Sequence, residues 1–130
     1  MPTIMIVDDE ELIRSMIQKS LIRVGYNVLE ANNGNEAMRI VGKEHIDMII
    51  SDLVMPKKGG LELMMELKNI FPNIKKIAIS GKLPTENESI TDLADRFNVD
   101  AVLSKPFELF DLLKVVKELV PLADSSAKDI

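Results

Sequence analysis

Ile4-Met5-Ile6-Val7-Asp8-Asp9-Glu10-Glu11 and Met48-Ile49-Ile50-Ser51-Asp52 are the stretches that decide the fold. Each is a short apolar run that ends on carboxylates. Runs of this length are too short for a helix and read as strands covered on both faces, as in a parallel sheet. The same reading places strands at about 3–8, 26–31, 46–51, 74–79 and 101–104. Longer stretches of helical period lie between them. Ile13, Ile17, Leu21 and Val24 form one stripe after Asp9, and Gly25 stops it. A second helix is expected from Asn35 to Gly42. A third runs from Gly60 to Ile70 and ends at Phe71, because the residue before Pro72 resists helical geometry. A fourth lies within Pro84 to Phe97. The fifth carries Leu109, Leu112, Leu113, Val116, Leu119 and Val120 and closes at Pro121. Five alternating βα units predict an α/β domain with a doubly wound parallel sheet, whose strand order topology alone leaves open between two arrangements.

The 130 residues suffice for one core and not for two, so the expected domain is 1–121, with 122–130 a short polar tail or the start of a linker. The absence of cysteine excludes disulfides and thiolate metal sites, which makes a cytoplasmic location the expectation. No apolar run reaches the roughly 18 residues of a membrane span, so no membrane insertion is expected. A net charge of -5 argues against a grip on phosphate backbones, hence no direct nucleic-acid binding. Aromatics make up 4%, too few for the stacking platforms that bases or flavins need.

Ligands of open α/β sheets bind past the carboxyl ends of the strands, and the chemistry of this chain collects there. Asp8 and Asp9 stand at the end of the first strand, and Asp52 just past the third. If those strands are neighbours, three carboxylates crowd one volume and raise each other's pKa, a situation that a cation relieves. An oxygen-only donor set selects a hard ion, and Mg²⁺ is the expected one, with Mn²⁺ able to substitute. Ser80 follows the fourth strand, and Lys105, followed by Pro106 and Phe107, follows the fifth. A hydroxyl and an ammonium facing carboxylates and a metal suit phosphoryl transfer, which depends on positioning and charge neutralisation. Asp52 is the candidate nucleophile, since Asp8 and Asp9 are committed to the ion.

Asp8-Asp9, Asp52 with Met55-Pro56 and Gly59 behind it, Ser80-Gly81 and Lys105-Pro106-Phe107 together resemble the receiver domain of two-component response regulators over about residues 3–120. The resemblance implies a flavodoxin-like (βα)5 fold with strand order 2-1-3-4-5, its switch point between the first and third strands. It implies a phosphorylation switch, not a turnover enzyme, with Asp52 accepting a phosphoryl group from a histidine kinase or phosphotransfer protein. Asp9, Asp52 and the backbone carbonyl of Val54 would ligate Mg²⁺, Asp8 would act largely through water, and Ser80 and Lys105 would hold phosphoryl oxygens. The Lys105-Pro106 bond is expected to be cis. An unknown output protein would dock on the fourth helix, fifth strand and fifth helix, where Phe110 stands off the core stripe. Leu12 and Met16 would receive the phosphodonor. Where many receivers carry a mobile aromatic ring three residues before the lysine, this chain has Val102, so the switch movement is expected in the segment from Gly81 to Phe97.

Taken singly, each feature has an ordinary reading: Asp8 to Glu11 as a helix start, Asp52 as a loop acid, Ser80 as a turn hydroxyl, Lys105 as a surface lysine. Their joint occurrence at successive strand ends carries the argument. An aspartate-nucleophile phosphatase and a receiver-like binding module that is never phosphorylated are the alternatives. A flavodoxin-type carrier would need a hydroxyl- and glycine-rich loop where Asp8 to Glu11 stand. His45, before the third strand, is given no role, and the eight methionines are expected to be mostly core filler.

Overall fold

The computed structural model describes residues 1–53, 59–80 and 99–122. Five parallel strands, β1 (Thr3–Val7), β2 (Asn27–Ala31), β3 (Met48–Asp52), β4 (Lys75–Ser80) and β5 (Ala101–Ser104), form one sheet in the order β2-β1-β3-β4-β5. The flavodoxin-like order is the one observed, and it settles the choice that topology left open. Helices α1 (Glu11–Val24), α2 (Gly34–Val41) and α3 (Gly60–Ile70) follow β1, β2 and β3, and a C-terminal helix (Leu109–Leu119) follows β5. The fourth helix expected within Pro84 to Phe97 and the tail beyond Leu122 lie outside the described residues.

The strands are apolar because both faces are covered. Ile4, Ile6, Ile50, Ile77 and Ile79 point to the side of α1 and the C-terminal helix, where Ile17, Leu21, Leu112 and Val116 meet them. Met5, Val7 and Ile49 point to the other side, against Ala37, Val41, Leu63 and Leu67 of α2 and α3. Ile13 and Val24 complete the α1 stripe at its partly buried margins. Gly25 ends that helix at φ 121°, a backbone region costly for any residue with a Cβ. Tyr26, fully buried, fastens the end of the C-terminal helix by donating its hydroxyl proton to the Val120 carbonyl at 2.6 Å. Met5, Met48 and Met64 are core filler as expected, whereas Met1, Met16 and Met65 are exposed.

Two strand ends differ from the sequence reading in a way that matters. β3 extends through Asp52 and β4 through Ser80, so both side chains issue from the sheet itself and not from the loops after it. Polar residues broke the apolar run in the sequence, yet the ladder continues: the Leu53 N–H donates to the Ile79 carbonyl at 2.9 Å, and the Lys105 N–H to the Ser80 carbonyl at 2.9 Å. Val102 packs at the margin of a small cluster of Leu53, Met64, Ala78 and Val99.

Candidate functional site

The register of the sheet assembles the site. Val7 lies opposite Ser51, so the next residues, Asp8 and Asp52, stand abreast on strands roughly 5 Å apart. Asp8 is 1% exposed and Asp52 6%, an unusual depth for carboxylates. Lys105 arrives from the far edge. Its backbone is tied to Ser80, the Lys105–Pro106 peptide is cis, and its ammonium donates to Asp52 Oδ2 at 2.9 Å. Ser80, 5% exposed, ends the strand between them.

α3 holds the pocket's rear. The Gly60 N–H donates to the Leu53 carbonyl at 3.1 Å, and a Cβ on Gly60 would collide with the Asp52 carbonyl oxygen. Only a residue without a side chain lets the helix start this close to the strand end. Ser51 Oγ donates to the same Asp52 carbonyl at 3.0 Å. On the other flank, Arg14 of α1 donates to the Asp8 carbonyl at 2.6 Å and pairs with Glu30 at 3.4 Å, bracing the turn between β1 and α1.

The electrostatics are unbalanced. Asp8 Oδ1 accepts the Glu10 N–H at 2.8 Å, but Oδ2 is the one buried side-chain oxygen or nitrogen without a hydrogen-bond partner among the described residues. Burial pushes the Asp8 carboxyl above the usual carboxylate range; the Glu10 N–H pulls it back, and Asp52 adds to the rise. Burial alone would lower the Lys105 ammonium, but the hydrogen bond and charge of Asp52, with Asp8 and Glu10, outweigh it and leave Lys105 above its ordinary value. An orphaned carboxylate oxygen in an all-oxygen pocket fits a hard divalent cation.

The carboxylates that converge are Asp8, Glu10 and Asp52, whose ligand oxygens lie within 4.8 Å of one another. Sequence reasoning missed Glu10, which read only as one of four acids at a helix start. It missed Arg14 and Gly60 as well, because braces and close approaches leave no pattern in a chain. Asp9 is exposed outside this trio, near enough for its charge to be felt by Asp8. Val54 lies outside the described residues. Leu12 is 85% exposed on α1, and Met16 lines a groove with Glu10, Ile13, Lys105, Pro106 and Phe107. His45 sits at the opposite end of the sheet, its ring 3.0 Å from Asp47.

The model of the response regulator receiver domain matches residues 4–117, and the chain belongs to that family. It is similar to the sporulation initiation phosphotransferase F of Bacillus subtilis, 31% identical over 121 residues that make up 92% of this chain and 94% of that protein. It is also similar to the autoinducer 1 sensor kinase/phosphatase LuxN of Vibrio campbellii, 34% identical over 115 residues, 88% of this chain but only 13% of LuxN. Several such relatives are far longer than the stretch they share with it. Among solved structures, a CheY-like receiver domain protein from Methanospirillum hungatei JF-1 superposes with a TM-score of 0.84 at 28% identity, covering 100% of this chain and 99% of that one. The response regulator TrrA from Thermotoga maritima, in complex with Mg²⁺-BeF, gives 0.80 at 30% identity, covering 92% and 100%. Among the described residues no helix is long and apolar enough to cross a membrane.

Proposed function

We propose that this chain is a phosphorylation-dependent signalling switch of a two-component system, in which Asp52 accepts a phosphoryl group from a histidine kinase or phosphotransfer protein. One observation carries the reading most: the partnerless, buried Asp8 Oδ2 beside an Asp52 carboxylate gripped by Lys105 at 2.9 Å. A purely structural cluster would have satisfied that oxygen.

Asp8, Asp9, Asp52 and the Val54 carbonyl are the groups that would hold Mg²⁺ or Mn²⁺. Bound there, the cation supplies positive charge to the acids and to the incoming phosphoryl oxygens. An Asp52 carboxylate oxygen forms the bond to phosphorus as the phosphorus–nitrogen bond of a phosphohistidine breaks, and an acyl phosphate remains. Lys105, already poised on Asp52, follows the new negative charge onto a phosphoryl oxygen, and the Ser80 hydroxyl donates to another. The added charge of about -1.5 to -2 is what the switch reads. The chain thereby assists its own modification and does not turn over a substrate. It works in the cytoplasm, receives its donor over Leu12 and Met16, and passes the signal on through the fourth helix, β5 and the C-terminal helix, where Phe110 is 73% exposed. The Mg²⁺-BeF complex of TrrA, a neighbour of the same fold, supports the choice of ion.

Phosphotransfer profiling tests the partner. A purified histidine kinase, or its phosphotransfer protein, charged with radiolabelled phosphate should pass label to wild type and not to Asp52→Ala. Equal labelling of both proteins would refute the assignment.

A further inference from the structure

Glu10 is the residue of the pocket that the signature does not explain. It occupies the N-cap of α1, yet its side chain makes no capping hydrogen bond. The carboxylate turns instead toward the strand ends, where Oε1 lies 3.6 Å from the Lys105 ammonium, and it joins the oxygens of Asp8 and Asp52 within 4.8 Å. An N-terminal acid ordinarily uses its charge on the free N–H groups of its own helix. Here the backbone N–H of Glu10 is spent on Asp8 Oδ1, so the turn that buries Asp8 also swings Glu10 over the cavity mouth.

Charge counting gives the arrangement a meaning. Asp8, Asp9 and Asp52 against Lys105 leave two negative charges, and Glu10, whose oxygen converges with those of Asp8 and Asp52, brings a third, so its carboxylate adds to the field that draws a divalent cation. The buried Asp8 Oδ2, which no protein group satisfies, is an independent sign that a cation is meant to sit among these oxygens.

We propose that Glu10 is a further cation-facing carboxylate, beside Asp8, Asp9 and Asp52, and tunes the divalent-ion affinity of the resting site. The inference rests on the proposed cation site and adds a residue to it. Because the Glu10 side chain is 59% exposed, its contribution is partly screened. Its loss should therefore weaken the ion less than loss of a buried ligand, by roughly 5- to 10-fold at low ionic strength and by less at high salt. Ligand charge is one of the levers by which oxygen sites set their affinity.

The test is a Mn²⁺ titration of the whole chain, followed by the loss of the free-ion signal in electron paramagnetic resonance and repeated with Mg²⁺ as competitor. Glu10→Gln should raise the Mn²⁺ dissociation constant roughly 5- to 10-fold, Glu10→Asp should raise it less, and Glu11→Gln, one residue further and outside the trio, should leave it unchanged. Circular dichroism of each variant guards against misfolding. If Glu10→Gln binds like wild type while Asp8→Asn and Asp52→Asn bind weakly, this inference is wrong and the cation site stands. If all of these bind like wild type, the cation site itself is wrong. A loss in Glu11→Gln equal to that in Glu10→Gln would also overturn the proposal, since a general acidic field would then account for both.

Discussion

The two ends of the sheet carry the same kinds of groups and treat them oppositely. At the N-terminal end, Asp47 Oδ2 accepts the Thr3 N–H at 2.8 Å and Asp100 Oδ2 accepts the Lys76 N–H at 2.8 Å, while the fully buried Lys76 ammonium donates to the Ile74 carbonyl at 2.9 Å. Each acid there closes an open end of the ladder. At the C-terminal end, Asp8 keeps one oxygen without a partner, and Lys105 is aimed at a carboxylate instead of a carbonyl. The first arrangement is satisfied within the protein, and the second leaves a buried carboxylate oxygen open. The lysines register the difference: burial lowers Lys76, whereas Asp52 and its neighbours raise Lys105 in spite of burial.

The largest expected effect contrasts two glycines. Gly60→Ala drives a methyl group into the Asp52 backbone and should cost about 3 kcal/mol or more, together with loss of ion binding. Gly42, in ordinary αR geometry after α2 with nothing closer than 3.6 Å, should accept alanine with a gain of about 0.4–1 kcal/mol. Urea melts of both variants check the pair, and equal costs would erase the contrast between the two ends.

The same substitution should change sign between the ends. Without divalent ions, Asp8→Asn removes a buried charge that has one oxygen without a partner and keeps the acceptor for the Glu10 N–H, so it should stabilise by about 1 kcal/mol. Asp100→Asn removes the negative charge beside Lys76 and should destabilise by about 0.5 kcal/mol. Mg²⁺ should raise the melting temperature of wild type and not that of Asp8→Asn.

The smallest effect is a pair of alkaline slopes in the metal-free protein. For Lys76 the folded pKa lies below 10.5, so the unfolded chain binds more protons, and this contribution to stability grows as pH rises through the depressed value toward 10.5. For Lys105 the folded pKa lies above 10.5, so its contribution is full below 10.5 and fades as pH climbs past it. Lys76→Met should abolish the first slope, and Lys105→Met the second. Chemical denaturation at a series of alkaline pH values reads both.

Much of this was legible in the sequence because periodicity and strand-end position carry it. The α1 stripe, α3 from Gly60 to Ile70, β5 from Ala101 to Ser104 and the meeting of Asp8, Asp52, Ser80 and Lys105 at one sheet edge all follow from alternation and topology. The ends of β3 and β4 did not, because Asp52 and Ser80 look like loop residues until neighbouring strands pair with them. Lys76 gave no warning either: a lysine in a strand reads as solvent-facing, and only the third dimension shows it fully buried. Glu10 was hidden among adjacent acids, since which of them faces the pocket depends on how the turn into α1 is wound.

On the proposed function, a divalent cation and a phosphoryl group on Asp52 complete the C-terminal end of the sheet. Intact and peptide mass spectrometry after incubation with a small-molecule phosphodonor, with and without Mg²⁺, tests it most directly. One phosphoryl group should appear on the peptide carrying Asp52, only with the ion, and should be absent from Asp52→Ala. Labelling that is indifferent to Mg²⁺, or that persists equally in Asp52→Ala, would contradict it.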